Sequence, residues 1–331
     1  MRFVITGCGG FTGYSLAKKL LKEGHLVVGV DNFSADHGTN IVKDRVSLLS
    51  VDKNFEFVEA DITDIDANAF ILKFRPIDYF INLAKKEDYY SFNEADKFSE
   101  YIKVNVWGCI KMYELALSLG VKKFIAASAS GVYGGTKKIK LTEKKVLPKP
   151  LTPVSSSFYA NEQILQYLSQ KHKLPTFVFR FSTIYGPMMR PHTILTHFID
   201  RVERNLPIGM YSDIRTTTRD FIYIDDIVEY IYRSLNKRIK FQVMNIASGK
   251  TLSLYDVLVL VANKFSRPIE SLDITQSQKY SEKHTFKTTL LDISRSRKIL
   301  GYLPQTSIEE GISKTVEWYK HNLEILRRSA P

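Results

Sequence analysis

The segment Thr6-Gly7-Cys8-Gly9-Gly10-Phe11-Thr12-Gly13 has residue types and spacing that point directly to chemistry. Gly7 and Gly10 permit a tight turn and close backbone approach. Gly13 lets a helix pack closely on a strand, with the helix N-terminus, opened by Phe11 and Thr12, facing a pyrophosphate. Asp31, followed by Asn32, ends the next apolar run. An acid there accepts hydrogen bonds from adenosine ribose hydroxyls and repels a 2′-phosphate. The implied chemistry is dinucleotide binding, NAD rather than NADP.

These residues need strands and helices to hold them. Short apolar runs alternate with amphipathic segments, the βαβ pattern. The spacing predicts strands over 3–6, 26–30, 55–59, 79–82, 124–127 and 176–181, and helices over 11–23, 98–119 and 154–171. Runs that are apolar throughout, such as Leu26-Val27-Val28-Gly29-Val30, suit a parallel sheet covered on both faces. After residue 181 turn-rich pieces dominate, with helices predicted over 224–235, 254–264 and 307–322. The expected fold class is α/β, a Rossmann-like doubly wound parallel sheet with a smaller C-terminal substrate-binding lobe. The dinucleotide domain is assigned to 1–180 plus about 220–247, and the second lobe to 181–219 and 248–331.

At 331 residues and 44% hydrophobic, the chain can bury a full core in one large or two linked domains. No stretch approaches the ~20 apolar residues that span a bilayer, and no membrane association is expected. The opening Met1–Thr6 stretch reads as a buried strand rather than a leader. Cys8 and Cys109 give neither a disulfide framework nor metal spacing, which fits a cytoplasmic protein. His192, His197 and His284 show no metal-ligand spacing either. Formal net charge is +12, with lysines at 137, 138, 140, 144, 145 and 149. A solvated loop accounts for these; attraction for anionic ligands is the sharper reading. The aromatic interleaving typical of single-strand binding is absent there.

Residues 148–175 resemble the active-site helix of the extended short-chain dehydrogenase/reductase family, the NAD-dependent nucleotide-sugar epimerases and dehydratases. That family runs Pro-x-x-Pro-Tyr-x-x-x-Lys-x-x-x-Glu, with Leu-Pro opening the next strand. Pro150, Pro153, Glu162, Leu174 and Pro175 fall in register without a gap. The Tyr position is then Val154 and the Lys position Phe158. The resemblance implies a Tyr general base, its pKa lowered by Lys, that removes a sugar hydroxyl proton as hydride leaves. Val and Phe have no proton to exchange. Four apart on one helix face, they would present an apolar patch in its place. The family's Ser or Thr, four residues before Tyr133, is Ala129 here. A second register would align Tyr159 and Gln163 with the pair, at the cost of compensating shifts and of Pro153 and Glu162.

The resemblance covers nearly the whole chain and looks strongest to UDP-glucuronate 4-epimerases. Arg180-Phe181-Ser182-Thr183-Ile184-Tyr185-Gly186-Pro187 with Arg190, and Arg219-Asp220-Phe221 through Asp226, carry it. It implies substrate contacts from Thr183 and Arg190, and a diphosphate contact from Arg219, whose guanidinium geometry suits phosphate. An ion pair of Arg219 with Asp225 or Asp226 is the structural alternative. It also implies adenine-end contacts from Asp61 and Ile62. Leu83 and Ala84 would lie along the dinucleotide. There the family keeps small residues, whereas this chain continues Lys85-Lys86. The family's Arg-x-Gly-Asp phosphate element is missing near 278–285, where Lys279 or Lys283 could substitute.

Three functions follow. The first is a pseudoenzyme or regulatory subunit that binds NAD and a nucleotide sugar, a UDP-sugar by resemblance. It would pair as a homodimer, or as a heterodimer with an active relative, through helices 98–119 and 154–171, with Leu165, Tyr167 and Leu168 at the contact. The second is an active epimerase or dehydratase recruiting Tyr159, Tyr133 or Glu143. The third is a basic nucleic-acid-binding protein on the same fold, marked by strongly salt-dependent binding.

Overall fold

Aromatic and aliphatic runs too short for helices form the strands that order this molecule. The computed structural model describes residues 1–34, 39–87, 97–134, 140–144, 149–210, 213–276, 290–322 and 324. Seven strands make one parallel sheet: β1 (Arg2–Thr6), β2 (Leu26–Asp31), β3 (Phe55–Glu59), β4 (Tyr79–Asn82), β5 (Lys123–Ala129), β6 (Thr176–Phe181) and β7 (Phe241–Ile246). Their order is β7-β6-β5-β4-β1-β2-β3. Direction along the sheet reverses between β1 and β4, so a crevice opens beyond the C-terminal ends of these strands, the usual ligand position in such a fold.

Strand alternation builds two cores. Phe3, Ile5, Ile125, Phe177 and Phe179 face one layer; Val4, Phe124, Ala126 and Val178 face the other. The first layer continues into the C-terminal half through Phe198, Ile227, Val257 and Tyr319. A third, smaller cluster lies beyond the end of β5.

Helix Phe11–Lys22 begins directly after the glycine loop. Helix Pro153–His172 starts at Thr152, whose side chain accepts from the Ser155 N–H, with Pro153 in the first turn. The predicted helix over 98–119 is interrupted. Phe98–Tyr101 gives way to a π-helical stretch, Ile102–Gly108, before Cys109–Leu119. Asn105 explains why this turn matters: its amide bonds both backbone groups of Lys86 and the Ser157 hydroxyl. Such bulges gather at functional sites.

Strand β7 and helices Thr39–Leu49, Ala67–Phe74, Ile194–Arg204 and Ser294–Leu300 were not anticipated, although Ile194–Arg204 sets Leu195, Phe198, Ile199 and Val202 on one buried face. Among the described residues, four two-stranded sheets hold the second half together, including Thr183–Tyr185 with Phe221–Tyr223 and Thr218–Arg219 with Leu252–Ser253. No described helix is long and apolar enough to cross a membrane.

Candidate functional site

At the C-terminal edge of β1 the backbone forms a cradle in which side chains have no room. Gly7 has φ +70°, and a Cβ there would lie 2.7 Å from the Ala84 nitrogen. A Cβ on Gly13 would lie 2.1 Å from the Gly7 oxygen. Gly10 donates its N–H to that same oxygen at 3.0 Å. Thr6 Oγ1 donates to Asn82 at 2.5 Å and accepts from the Ala84 N–H at 3.3 Å, tying the β1 and β4 ends together. Leu83 is buried beside them.

Asp31 closes the far side. One carboxylate oxygen accepts from Gly9 N–H at 3.0 Å and the other from Phe33 N–H at 2.9 Å. Each oxygen keeps a second lone pair for a ligand hydroxyl. Burial raises its pKa above the ordinary value, while the Phe33 and Gly9 N–H groups and the Arg45 charge pull the other way. Asp61 accepts from Thr63 at 2.7 Å and from Asn32 Nδ2 at 2.8 Å, with Ile62 buried alongside. Burial opposes its ionisation, but the Thr63 and Asn32 bonds outweigh it and its pKa falls. A glycine-rich loop at a helix N-terminus, with two carboxylates ahead, fits a dinucleotide. Gly7, Gly10 and Gly13 would take the pyrophosphate, Asp31 the adenosine ribose, and Asp61 with Ile62 the base.

The other end of the crevice is different. Val154 and Phe158 are each 2% exposed and Ala129 is 6% exposed. They share one cluster with Tyr101, Val132, Tyr133 and Leu141, and Tyr159 packs against its edge. Ala129, Val154 and Phe158, the positions that the gapless register assigns to proton transfer, lie together in this cluster. The apolar patch expected from the sequence is buried as core. Lys85, just after β4, places its Nζ 5.7 Å from the Phe158 ring centre and 2.6 Å from Glu87.

Behind the cluster runs a buried polar chain. Ser128 Oγ donates to Glu162 at 2.6 Å, and Arg180 donates to both Glu162 oxygens. Arg180 also donates to the Tyr133 hydroxyl at 2.7 Å, which donates to Asn245 Oδ1 at 2.9 Å. Glu143 accepts from Asn245 N–H at 2.9 Å and faces Arg295 at 3.8 Å. Burial pushes the Tyr133 pKa up despite the adjacent guanidinium. Tyr133 and Glu143 are thereby held as structural links, with Tyr133 only 1% exposed.

Thr183 N–H donates to the Asp220 carbonyl at 3.1 Å, beside Arg219. Arg219 donates to the Thr218 carbonyl at 2.8 Å, and burial lowers its pKa to about 10. Asp226 instead accepts from the Tyr302 hydroxyl at 2.5 Å and from Gln305 N–H at 2.7 Å. Arg190 donates to the Glu87 carbonyl at 3.3 Å, which ties its loop to the Lys85 segment. Leu165, expected at a pairing surface, is fully buried in its own chain's core, because its face of the helix turns to the sheet; Tyr167 is 62% exposed. Lys137, Lys138, Lys145, Lys279, Lys283 and His284 lie outside the described residues.

Sequence reasoning missed Arg45. It is 1% exposed, donates to the Gly9 carbonyl at 2.8 Å and to the Met188 carbonyl, and so joins the glycine loop to the loop that carries Met188 and Arg190. A signal existed: Arg45 occupies the apolar helix face of Ile41, Val42, Val46 and Leu49.

The profile of the NAD dependent epimerase/dehydratase family matches residues 3–247. A UDP-glucuronate 4-epimerase of Thermodesulfobacterium geofontis is 31% identical over 328 residues, covering 98% of this chain and 98% of that one. A UDP-glucose 4-epimerase of Mycolicibacterium smegmatis is 28% identical over 329 residues, covering 97% and 99%. The crystal structure of UDP-glucuronic acid 4-epimerase from Bacillus cereus with UDP-glucuronic acid and NAD superposes with a TM-score of 0.88. It is 25% identical and covers 97% of this chain and 100% of that one.

Proposed function

The chain belongs to the NAD dependent epimerase/dehydratase family, and from that premise we propose that it binds NAD and a UDP-sugar without performing the family's Tyr-dependent sugar oxidation. The carrying observation is the burial of Ala129, Val154 and Phe158 in one apolar cluster. Sugar oxidation needs a base within hydrogen-bond reach of the hydroxyl. Of the cluster's two tyrosines, Tyr101 is 2% exposed, and the Tyr133 hydroxyl is already committed to Arg180 and Asn245. The glycine cradle, Asp31 and Asp61 supply the NAD site. Thr183, Arg190 and Arg219 supply the nucleotide-sugar side, Arg219 as the diphosphate contact. An anion arriving at Arg219 would restore the guanidinium pKa that burial lowers.

Such a protein reports on its ligands rather than transforming them, as a regulatory subunit of a cytoplasmic sugar-nucleotide system. Exposed Trp107 and Tyr167, on the helices expected to pair, are the surface through which a second copy or an active relative would dock. The competing reading is an active epimerase that recruits Tyr159. It draws on the names of the relatives and on the position of Tyr159 at the cluster's edge.

The test is turnover. Purified protein is incubated with NAD and a panel of UDP- and GDP-sugars, UDP-glucuronate and UDP-glucose first, and products are separated by chromatography. We expect no conversion, with NAD nevertheless bound. Rapid conversion of any sugar would overturn the proposal, and its loss in Tyr159→Phe would assign the base.

A further inference from the structure

We infer that Lys85 is the anchor for the nicotinamide-ribose half of the dinucleotide, delivering from the loop after β4 the ammonium that position 158 of the helix no longer carries. The inference rests on the NAD-binding reading above and adds a residue to it.

Four observations place Lys85 in this role. Its Nζ lies 5.7 Å from the centre of the ring of Phe158, the residue at the position that the resemblance assigns to the family's lysine. The preceding residue, Ala84, abuts the cradle, since a Cβ on Gly7 would meet its nitrogen at 2.7 Å. The following residue, Lys86, has both backbone groups bonded to Asn105, at 2.8 and 2.9 Å. Asn105 in turn donates to Ser157, the neighbour of Phe158, at 2.8 Å. Lys85 is therefore fixed at its base from both sides, between the glycine loop and the catalytic-frame helix.

The local charge supports the assignment. An ammonium carries three donors. One goes to Glu87 Oε2 at 2.6 Å, leaving the others for a vicinal diol. The oxidised nicotinamide ring is itself cationic, so an unpaired ammonium beside it would repel it. Glu87 cancels that charge while leaving the donors in place. The ring face of Phe158 gives the ammonium a further electrostatic support without competing for its protons. What Lys85 cannot restore is the proton acceptor, because Val154 still occupies the Tyr position. The arrangement holds a dinucleotide and does not turn it over.

The experiment compares the affinities of NAD and of ADP for the full chain by titration calorimetry, with ADP reporting the adenine half alone. In Lys85→Met, which keeps the stem and removes the charge, NAD affinity should fall by about tenfold to a hundredfold while ADP affinity is unchanged. Lys85→Arg should recover most of the loss. Glu87→Gln leaves the ammonium unneutralised and should shift preference toward NADH, whose ring is neutral. Equal loss of both ligands in Lys85→Met, or no loss of either, overturns the inference while the NAD-binding proposal stands. A wild-type chain that binds neither ligand overturns the proposal itself and the inference with it.

Discussion

The two ends of the crevice obey different physical constraints. At the adenine end the requirements fall on the backbone. Gly7 adopts a left-handed φ, Gly13 leaves no space for a methyl group, and a buried carboxylate fixes two N–H groups. At the sugar end the family resemblance puts the requirements on side chains that exchange protons, and the positions it assigns to them, Ala129, Val154 and Phe158, are hydrocarbon. The glycines serve folding as well as binding, because the helix cannot approach the strand without them. On the proposed reading, residues that serve chemistry alone can be exchanged for groups that pack once that chemistry is not required. Ala129, Val154 and Phe158 fit one another as a cluster, which one isolated substitution would not achieve.

The sharpest way to break this comparison is to treat Phe158 as core. If its ring is a packing element, Phe158→Ala should cost about 3–5 kcal/mol of stability, the range for removing a buried aromatic ring. Denaturant unfolding monitored by intrinsic fluorescence measures it. A loss below about 1 kcal/mol would mean that the ring lines an open cleft, and the contrast between the two ends would collapse.

The second prediction acts on the cradle. Gly13→Ala places a methyl group against the Gly7 carbonyl at 2.1 Å, and the obstacle is backbone rather than a movable side chain. We expect a stability loss of about 1–3 kcal/mol, as for overpacked sites. NAD binding should weaken by at least about tenfold, because the loop must open to relieve the clash. Calorimetry on the folded variant separates the two effects. Unchanged NAD affinity would show that the pyrophosphate does not use this turn.

How much of this could be read from the chain follows the same division. The glycine loop and Asp31 were legible because backbone demands leave a local signature, a fixed spacing between a strand and a helix. Ala129, Val154 and Phe158, which the gapless alignment on Pro150, Pro153 and Glu162 singles out, share one cluster. The fate of Tyr133 and Glu143 was not. Their partners Arg180 and Asn245 are 47 and 112 residues from Tyr133, and only the parallel pairing of β5, β6 and β7 brings them together. Strand β7 escaped notice because its Phe-Gln-Val-Met-Asn-Ile run mixes polar residues into a sheet edge. The role of Lys85 depends on Asn105 and its π-helical turn, which no local spacing announces.

The smallest effect is a pH dependence, and it bears on the cradle alone. Burial holds the Asp31 pKa above its ordinary value of about 4. For a carboxylate raised in the folded state, the associated stability is complete below the unfolded pKa and is lost as pH rises through the folded one. Ionised Asp31 is thus a burden on the unliganded fold that ribose hydroxyls, by donating to it, relieve. NAD affinity should therefore increase with pH through the Asp31 titration, by a factor of about three to ten. The rise takes place below the raised Asp31 pKa and is complete once pH exceeds it. Asp31→Asn should bind more weakly and flatten this profile, while ligands lacking the adenosine ribose should show no such slope. An equal slope in wild type and Asp31→Asn would assign the titration elsewhere and remove Asp31 from the ribose contact.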